Sequence, residues 1–579
     1  MNIRPFLPAL QWLPTYTRAD LRGDLSAGLT VGVMLIPQGM AYAMIAGMPP
    51  IYGLYASTVP LVLYALLGTS RQLAVGPVAM VSLLTAAGIG VLAEASTDMY
   101  IALAITLAFM VGIIQLLLGV FRLGFLVNFL SHPVINGFTS AAALIIGLSQ
   151  LKHLMGLKLP DGHHIHLILI AAAQQIGNTN PFTLAIGVGG ILLILGVKKI
   201  SKTIPGPLLA VVFGILAVWG LGLDAQGVKV VGDVPGGLPS LSLPIFNVQT
   251  FTTLLPVALA ISLVSFMESI AVAKAIQAKH KNYKVISNQE LIALGAANIG
   301  GSLMQSFPVT GGFSRTAVND QAGAKTGIAS IISAFLIVLT LLFLTPLFYY
   351  LPQAILASVI MVAVFGLIDI KEPLHLWRIN RTDFWMLVAT FLATLLLGIE
   401  QGIGVGVVLS LAMVIYQTTR PHVAVLGKVK GTSYYRNVER FDLSQLEVRP
   451  DVLIIRFDAQ LYFANIAFFR DTLEEQIARK GKALRAIIID AASINKMDSS
   501  ALHALQDITK DLQAAGSELF FAAVKGPVRD AMAKAHLLET IGEDNFFMSV
   551  QEAMDYYEGD EAARHRNRLS KTYTLQHNQ

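Results

Sequence analysis

The sequence predicts an α-helical polytopic membrane protein that continues into a soluble C-terminal α/β domain. Of its 579 residues, 54% are hydrophobic and 13% are charged, and the mean hydropathy is +0.64, which is too apolar for an ordinary soluble protein. Apolar stretches of about 17 to 25 residues, long enough to cross a bilayer as helices, recur from Asp24 to about Tyr416. From about Tyr434 onward, charged residues and amphipathic segments alternate with short apolar runs, as in a soluble domain.

Fourteen stretches bounded by Gly, Pro and charged residues are predicted to span the membrane. They fall near residues 24–44, 51–68, 76–93, 100–121, 130–152, 181–199, 207–222, 250–276, 287–303, 313–323, 327–347, 352–369, 383–398 and 401–418. A shorter apolar stretch at 163–176 is expected to be an interfacial helix. Its histidines, His163, His164 and His166, are interpreted as a solvated face, and we predict no metal site and no cofactor.

The distribution of charge predicts the orientation. With an even number of spans, both termini lie on one side. The loops on that side carry most basic residues, among them Arg71, Arg122, Lys198, Lys199, Lys202, Lys274, Lys279, Lys281, Lys284, Lys325, Lys371, Arg378 and Arg381. The positive-inside rule therefore places both termini, including the segment 1–23 and the soluble domain, in the cytoplasm. Residues 1–23 lack the pattern of a secretory signal, and the expected location is a bacterial inner membrane. The absence of cysteine excludes disulfides and thiol chemistry.

Seven spans in each half suggest an inverted repeat, with residues 24–222 and 250–418 as the two copies. Gln38 is a polar residue in the first span, and Glu268 is a polar residue in the eighth. The third and tenth spans begin with helix-disfavouring segments, VGPVA at 75–79 and FPVTGGFSRTA at 307–317. Interruptions at matching places in two halves indicate a midplane binding site built from the N-termini of half-helices.

Such N-termini favour an anion, because their free N–H groups and helix dipoles attract negative charge. The predicted starts are Gly76 and Pro77 for the first half-helix, and Gly312 or Phe313 for the second. The predicted anion ligands are Gln38, Tyr42, the backbone amides of Val78 and Ala79, Ser314 and Arg315. Taken singly, Gln38 could be an interhelical hydrogen-bonding residue, Tyr42 a packing residue and Arg315 a snorkelling cytoplasmic anchor.

Glu268 is an ionisable residue in an apolar span, which indicates a functional role. It could carry a proton together with a divalent anion, or it could remain ionised and pair with Arg315. The proton role is favoured, because sodium would need further oxygen ligands and Val272 stands one helical turn away.

Several motifs resemble those of the sulfate permease family, the SulP anion transporters. They are AGLTVGVMLIPQGMAYAMIAGMPPIYGLY, YALLGTSRQLAVGPVAMVSLL, NQELIALGAANIGGS and GGFSRTAVN, and AIIIDAASINKMDSSALHALQ at 486–506 resembles the STAS domain that follows the membrane part in this family. The resemblance implies fourteen spans in two inverted repeats, a mobile core and a gate domain, and a homodimer. It also implies that the residues named above, including Glu268, lie at or beside the anion site.

The residues indicate the class of protein more clearly than they indicate its substrate. Sulfate is favoured, with proton-coupled uptake by alternating access, while bicarbonate, chloride or a dicarboxylate remain alternatives. A passive channel of the same fold would give a flux that ignores a proton gradient, and a membrane-anchored anion sensor would bind without net flux. No convergent catalytic group indicates an enzyme, and nucleic acid is not an expected partner.

The soluble domain, residues 434–558, is predicted to alternate strands and helices in an α/β sandwich. Strands are expected near 451–457, 461–463, 485–490 and 517–523, with helices to about 479 and over 499–515. Asp498, Ser499 and Ser500 stand at a helix start, where related bacterial domains are phosphorylated, although a plain N-cap is the favoured interpretation. A cytoplasmic regulatory partner could bind there. The tail, 559–579, is polar and expected to be disordered.

Overall fold

The computed structural model describes residues 7–125, 131–157, 165–200 and 205–560, apart from the side chains of residues 165–167 and 399–400. The chain divides into two compact units, residues 1–411 and 412–579. His163 and His164, and most of the predicted tail, lie outside the described residues. The predicted interfacial stretch contains a helix over Ile165–Gln174.

The first unit is helical, and its last helix extends past residue 411, at which the unit ends. Its helices are α1 (Ala9–Trp12), α2 (Arg18–Ile45), α3 (Ile51–Tyr55), α4 (Val59–Leu67), α5 (Ala79–Ile89), α6 (Asp98–Val120), α7 (His132–Ser149), α8 (Leu151–Met155), α9 (Ile165–Gln174), α10 (Pro181–Ile200), α11 (Gly206–Leu221), α12 (Val248–His280), α13 (Ser287–Ser302), α14 (Phe313–Gln321), α15 (Ile328–Leu339), α16 (Gln353–Phe365), α17 (Lys371–Ile379), α18 (Arg381–Leu397) and α19 (Ile399–Thr419). Two short strands, β1 (Val75–Gly76) and β2 (Thr310–Gly311), interrupt them.

Seven helical segments among the described residues are long and apolar enough to cross a membrane. They are Arg18–Ile45, Asp98–Val120, His132–Met155, Pro181–Ile200, Val248–His280, Ile328–Phe348 and Gln401–Thr419. Four shorter apolar helical segments are Ile51–Leu67, Ala79–Ile89, Gly206–Leu221 and Gln353–Phe365. The other three predicted spans fall on α13, α14 and α18. All fourteen stretches thus contain helix, and their number as membrane crossings stays a prediction.

Helix α2 is fixed at its start and packed closely near its end. Thr17 and Asp20 form a capping box, in which each side chain accepts a hydrogen bond from the other residue's backbone N–H. Further along, Gly39 lies against Gly53 of α3, so that a Cβ atom on Gly53 would stand 1.9 Å from the Gly39 carbonyl oxygen. Only glycine allows this approach of two backbones. It positions the part of α2 that carries Gln38 and Tyr42.

Two buried carboxyl groups hold the loop before β1 and the loop after α14. Glu290 of α13 accepts hydrogen bonds from the Tyr64 hydroxyl at 2.6 Å, from Thr69 and from the Ser70 backbone N–H. Asp24 of α2 accepts hydrogen bonds from the backbone N–H groups of residues 325 and 326 and from a threonine and a tyrosine hydroxyl. Because each of these buried carboxyl groups accepts hydrogen bonds from several donors, Asp24 and Glu290 are structural.

The second unit contains a mixed sheet with helices on both faces. Its strands are β3 (Val423–Val429), β4 (Tyr435–Asn437), β5 (Leu446–Glu447), β6 (Val452–Phe457), β7 (Ala486–Asp490), β8 (Glu518–Ala522) and β9 (Phe546–Phe547), and its helices are α20 (Ile466–Lys480), α21 (Ser499–Ala514), α22 (Gly526–Lys534), α23 (Leu537–Ile541) and α24 (Val550–Tyr557). The order is β4-β3-β6-β7-β8-β9, with β5 beside β3. Strands β6 to β9 are parallel, whereas β3 is antiparallel to β6.

The sheet differs from the predicted one in two places. The strand predicted at 461–463 is wrong, because only Leu461 makes a bridge, to Met497, before the chain turns into α20. The sheet also includes β3, which lies before residue 434, because its alternate residues pack against both faces of the sheet. A run that short cannot be separated by sequence from the end of the preceding apolar helix.

Candidate functional site

The strands β1 and β2 bring two helix starts together in the first unit. They pair antiparallel, with Val75 opposite Gly311 and Gly76 opposite Thr310. Each strand leads into a short helix, β1 into α5 and β2 into α14. The two interrupted segments that the sequence identifies therefore meet at their interruptions.

The first half-helix begins later than predicted. Helical dihedral angles start at Ala79, and Val78 is the N-cap with an extended backbone. Gly76 and Pro77 are therefore not its first residues, because Gly76 is held in the strand pair with a φ of +151°. That backbone angle favours glycine. The amides of Val78 and Ala79 consequently lie at the true start of α5.

The second half-helix begins as predicted. Gly312 is the N-cap of α14, and Phe313 is its first residue. Neither α5 nor α14 has a side-chain hydrogen bond at its N-cap. Both helix starts therefore keep backbone donors for a ligand.

A cavity of about 380 Å³ lies at these two helix starts. The residues predicted for the site that line it are Gln38, Tyr42, Val78, Ala79, Glu268, Gly312, Phe313, Ser314 and Arg315. Other lining residues come from α7 and α16, including Thr139 and Ala363. Gly76 and Pro77 do not line the cavity.

Arg315 is the positive charge of the cavity. Its side chain is 2% exposed, so it is not a snorkelling surface anchor. Its Nη1 donates a hydrogen bond to the carbonyl oxygen of Pro77, whereas Nε and Nη2 have no hydrogen-bond partner in the described part of the chain. A buried charge with unused donors is costly unless a ligand satisfies it.

Two more lining residues have unsatisfied polar atoms. Within the described residues, Oε1 of Gln38 and Oε2 of Glu268 accept no hydrogen bond. Oε2 of Glu268 and the free nitrogens of Arg315, Nε and Nη2, make no hydrogen bond to one another there. Ser314 is exposed to the cavity opening, and Tyr42 lies one helical turn from Gln38 on α2.

Sequence reasoning missed the residues that hold β2 in place. The Ser269 hydroxyl accepts a hydrogen bond from the Gly311 N–H at 2.9 Å and shares another with Thr310 at 2.7 Å. The Asn298 side chain accepts from the Val309 N–H at 2.8 Å and donates to its carbonyl oxygen at 3.1 Å. Small polar residues at these positions in otherwise apolar helices were the available signal.

The predicted regulatory position lies at the start of α21 in the second unit. Asp498 is the N-cap, and its Oδ1 accepts a hydrogen bond from the Ala501 N–H at 2.9 Å. Its Oδ2 accepts from the Phe463 N–H at 2.9 Å. Ser499 and Ser500 are exposed in the first turn.

Matches to known proteins agree with this architecture. The model of the Sulfate permease family matches residues 21–390, and that of the STAS domain matches residues 444–553. The chain belongs to the sulfate permease family. It is therefore an integral membrane protein and an anion transporter with a C-terminal STAS domain, not an enzyme.

Relatives of this family resemble almost the whole chain. Sulfate transporter 4.1, chloroplastic, of Arabidopsis thaliana is 39% identical over 577 residues, covering 95% of this chain and 82% of the relative. High affinity sulfate transporter 2 of Stylosanthes hamata is 35% identical over 578 residues, covering 96% and 87%. Murine Solute Carrier 26 family member A9, an anion transporter in the inward-facing state, is 27% identical with a TM-score of 0.88, covering 96% and 95%.

Proposed function

We propose that this protein is a proton-coupled sulfate transporter that works by alternating access. The observation that carries the proposal is the position of buried Arg315, with two unused donors, between the starts of α5 and α14. The relatives named as sulfate transporters, which are 34 to 40% identical, support this substrate.

The charge of the site suits a divalent anion that enters with a proton. Each helix start contributes roughly +0.5 charge, and Arg315 contributes one, so the donors together supply roughly two positive charges. An ionised Glu268 would oppose sulfate, whereas a protonated Glu268 leaves sulfate fully balanced. Protonation of Glu268 and binding of sulfate therefore favour each other, and loss of the proton favours release.

Two cavities, one that contains the site and one beyond it, support alternating access. The site cavity extends to His132 and Leu367, near ends of α7 and α16 that the basic loops assign to the cytoplasm. A second cavity of about 550 Å³ lies toward the opposite ends of α2, α5 and α7, and Glu94, Tyr100 and Gln150 line it. The same three helices thus border both cavities. Movement of α2 and α5 against α7 would connect the site with one side or the other.

The wider architecture is proposed on the same basis. Residues 24–222 and 250–418 form two inverted seven-span repeats. The first repeat contributes α2 and α5 to the site, and the second contributes α12 and α14. The chain forms a homodimer in a bacterial inner membrane, with both termini in the cytoplasm. A regulatory partner acts on the STAS domain at Ser499 or Ser500, whose exposure supports this role.

Uptake of labelled sulfate into proteoliposomes tests the proposal. We expect uptake that an inward proton gradient stimulates and that a protonophore reduces. Equal uptake with and without the gradient would contradict proton coupling. Bicarbonate, chloride or dicarboxylate flux without sulfate flux would contradict the substrate, and sulfate binding without any flux would indicate a sensor.

A further inference from the structure

A short helix between two apolar helices of the first unit, α17, presents an exposed apolar stripe. Ile370, Leu374 and Trp377 follow one another at intervals of four and three residues, so they share one face of the helix. They are 73, 64 and 46% exposed. Leu376 is buried and fixes a different face of α17 against the protein. The stripe is therefore available to something outside this chain.

A basic stripe lies beside the apolar one. Lys371, His375 and Arg378 have the same spacing and are all exposed. Arg381, at the start of α18, adds a further cation, and its Cζ lies 5.3 Å from the centroid of the Trp377 ring. Adjacent apolar and basic faces are typical of a helix that lies in the interface of a membrane.

The position of α17 agrees with such a surface. It follows α16 and precedes α18, both of which are apolar helices of the membrane part. Trp377, Phe384 and Trp385 form a chain of edge-on aromatic contacts, with centroid distances of 4.8 and 5.4 Å. Tryptophan is enriched at the boundary between lipid and water. These contacts favour that boundary for the C-terminal end of α17.

We propose that α17 lies in the headgroup layer of the cytoplasmic leaflet and that its basic stripe binds the phosphate groups of anionic phospholipids. The cations of the stripe, Lys371 and Arg378, are complementary to a phosphate group. The flanking carboxylates of Asp369 and Asp383 accept hydrogen bonds from backbone N–H groups of α17 and from the Asn380 side chain. The one acidic residue within α17 is Glu372. That carboxylate is already engaged, at 3.5 Å from Nδ1 of His132.

The same contact links the lipid surface to the transport site. His132 is the first residue of α7 and lines the site cavity, as does Leu367 just before α17. A bound lipid that fixes α17 therefore also fixes one rim of the cavity. Anionic lipid is expected to change the transport rate, although lipid binding itself does not depend on the identity of the substrate.

The test uses the full chain in nanodiscs of phosphatidylcholine with increasing phosphatidylglycerol, and native mass spectrometry counts the retained anionic lipids. The variant is Lys371→Gln/Arg378→Gln. The matched control, Lys274→Gln/Lys284→Gln, removes two exposed basic residues of the same predicted side outside α17. We expect affinity for phosphatidylglycerol to fall roughly fivefold for each residue removed from α17, and roughly 30-fold for both. The control should bind as the original protein does. An equal loss in the control would overturn the proposal.

A second measurement tests whether the apolar stripe lies at the level of the lipid headgroups. In a variant whose other tryptophans, Trp12, Trp219 and Trp385, are changed to Phe, lipids brominated near the headgroup should quench the fluorescence of Trp377. Absence of quenching would overturn the proposal. Dissociation of a dimer by Leu374→Asn, with phosphatidylglycerol binding unchanged, would also overturn it, because the stripe would then be a contact between two copies of the chain.

Discussion

Arg315 of α14 donates a hydrogen bond from Nη1 to the carbonyl oxygen of Pro77, two residues before the start of α5. This bond joins the two interrupted segments directly. It also uses one side of the guanidinium and leaves Nε and Nη2 for the cavity. One residue thus both holds the two helix starts together and presents charge to the anion.

Changing Arg315 should separate these two roles. We expect Arg315→Gln to lower sulfate uptake by roughly 100-fold, since charged hydrogen bonds contribute up to about 3 kcal/mol. Arg315→Lys keeps the charge but loses the planar fork, so it should raise the KM more than it lowers the maximal rate. Uptake kinetics in proteoliposomes measure both effects. Lys284→Gln, at an exposed position outside both the cavity and α17, is the control for loss of one positive charge, and unchanged uptake by Arg315→Gln would contradict the assigned site.

Glu268→Gln mimics the permanently protonated carboxyl group. Sulfate should still bind, because the neutral amide does not repel it, but the proton can no longer be released. We therefore expect sulfate–sulfate exchange to persist while stimulation by a proton gradient disappears. Parallel exchange and net-uptake assays in the same proteoliposomes measure this difference.

Glu290→Gln is the matched control for that substitution. Glu290 is also a buried carboxylate, but four hydrogen bonds satisfy it. Its change should lower stability and leave whatever activity remains sensitive to the gradient. Loss of gradient sensitivity in this control, or its retention in Glu268→Gln, would mean that Glu268 is not the proton carrier.

Gly53→Ala tests whether the contact of α3 with α2 positions the site. The new Cβ would stand 1.9 Å from the Gly39 carbonyl oxygen, so the two helices must separate. We expect a lower thermal unfolding temperature and weaker sulfate binding, because α2 carries Gln38 and Tyr42. Gly189→Ala in α10 is the control, since nothing lies within 4 Å of its added Cβ. If Gly53→Ala were as stable and active as that control, the contact would not determine the site.

The sequence could predict which residues meet at the site better than how they are held there. Gln38, Glu268 and Arg315 were identifiable because polar residues in apolar helices are costly and therefore informative. The first residue of α5 was not identifiable, since the helix is delayed by a strand pairing between distant residues. Gly76 pairs with Thr310, which lies 234 positions further along the chain. Likewise, the role of Ser269 depends on a backbone N–H that only the folded chain brings near. Pairing between distant segments leaves no local pattern.

Asp498→Ala tests the cap of α21 in the second unit. Two backbone N–H groups lose their acceptor, and loss of an N-cap costs about 1 kcal/mol. We expect faster hydrogen exchange in the first turn of α21, whereas Asp498→Asn should largely preserve protection. Ser499→Ala and Ser500→Ala should leave exchange unchanged, because neither side chain forms the cap. Loss of protection in these serine variants would assign them a structural role in place of the proposed regulatory one.

Asp451 should make the stability of the second unit depend on pH. Hydrogen bonds from Nε and Nη2 of Arg449, at 3.0 and 2.7 Å, and from the Tyr557 hydroxyl at 3.0 Å lower the pKa of this carboxyl group from 3.8 to about 2. Because the pKa is lower in the folded state, the ionised form stabilises the fold at pH values above 3.8. That contribution is lost as the pH falls toward 2.

Asp451→Asn is therefore expected to lower the stability of the second unit at pH 7 and to have little effect near pH 2. The side chain is 26% exposed, so solvent screening limits the loss to about 1 kcal/mol. Hydrogen exchange of the β6 and β7 amides in the full-length protein measures it, after correction for the intrinsic effect of pH. Asp471→Asn, an exposed residue of α20, serves as the control and should show no such dependence. A destabilisation of Asp451→Asn that is equal at both pH values would show that packing, and not the charge of Asp451, is responsible.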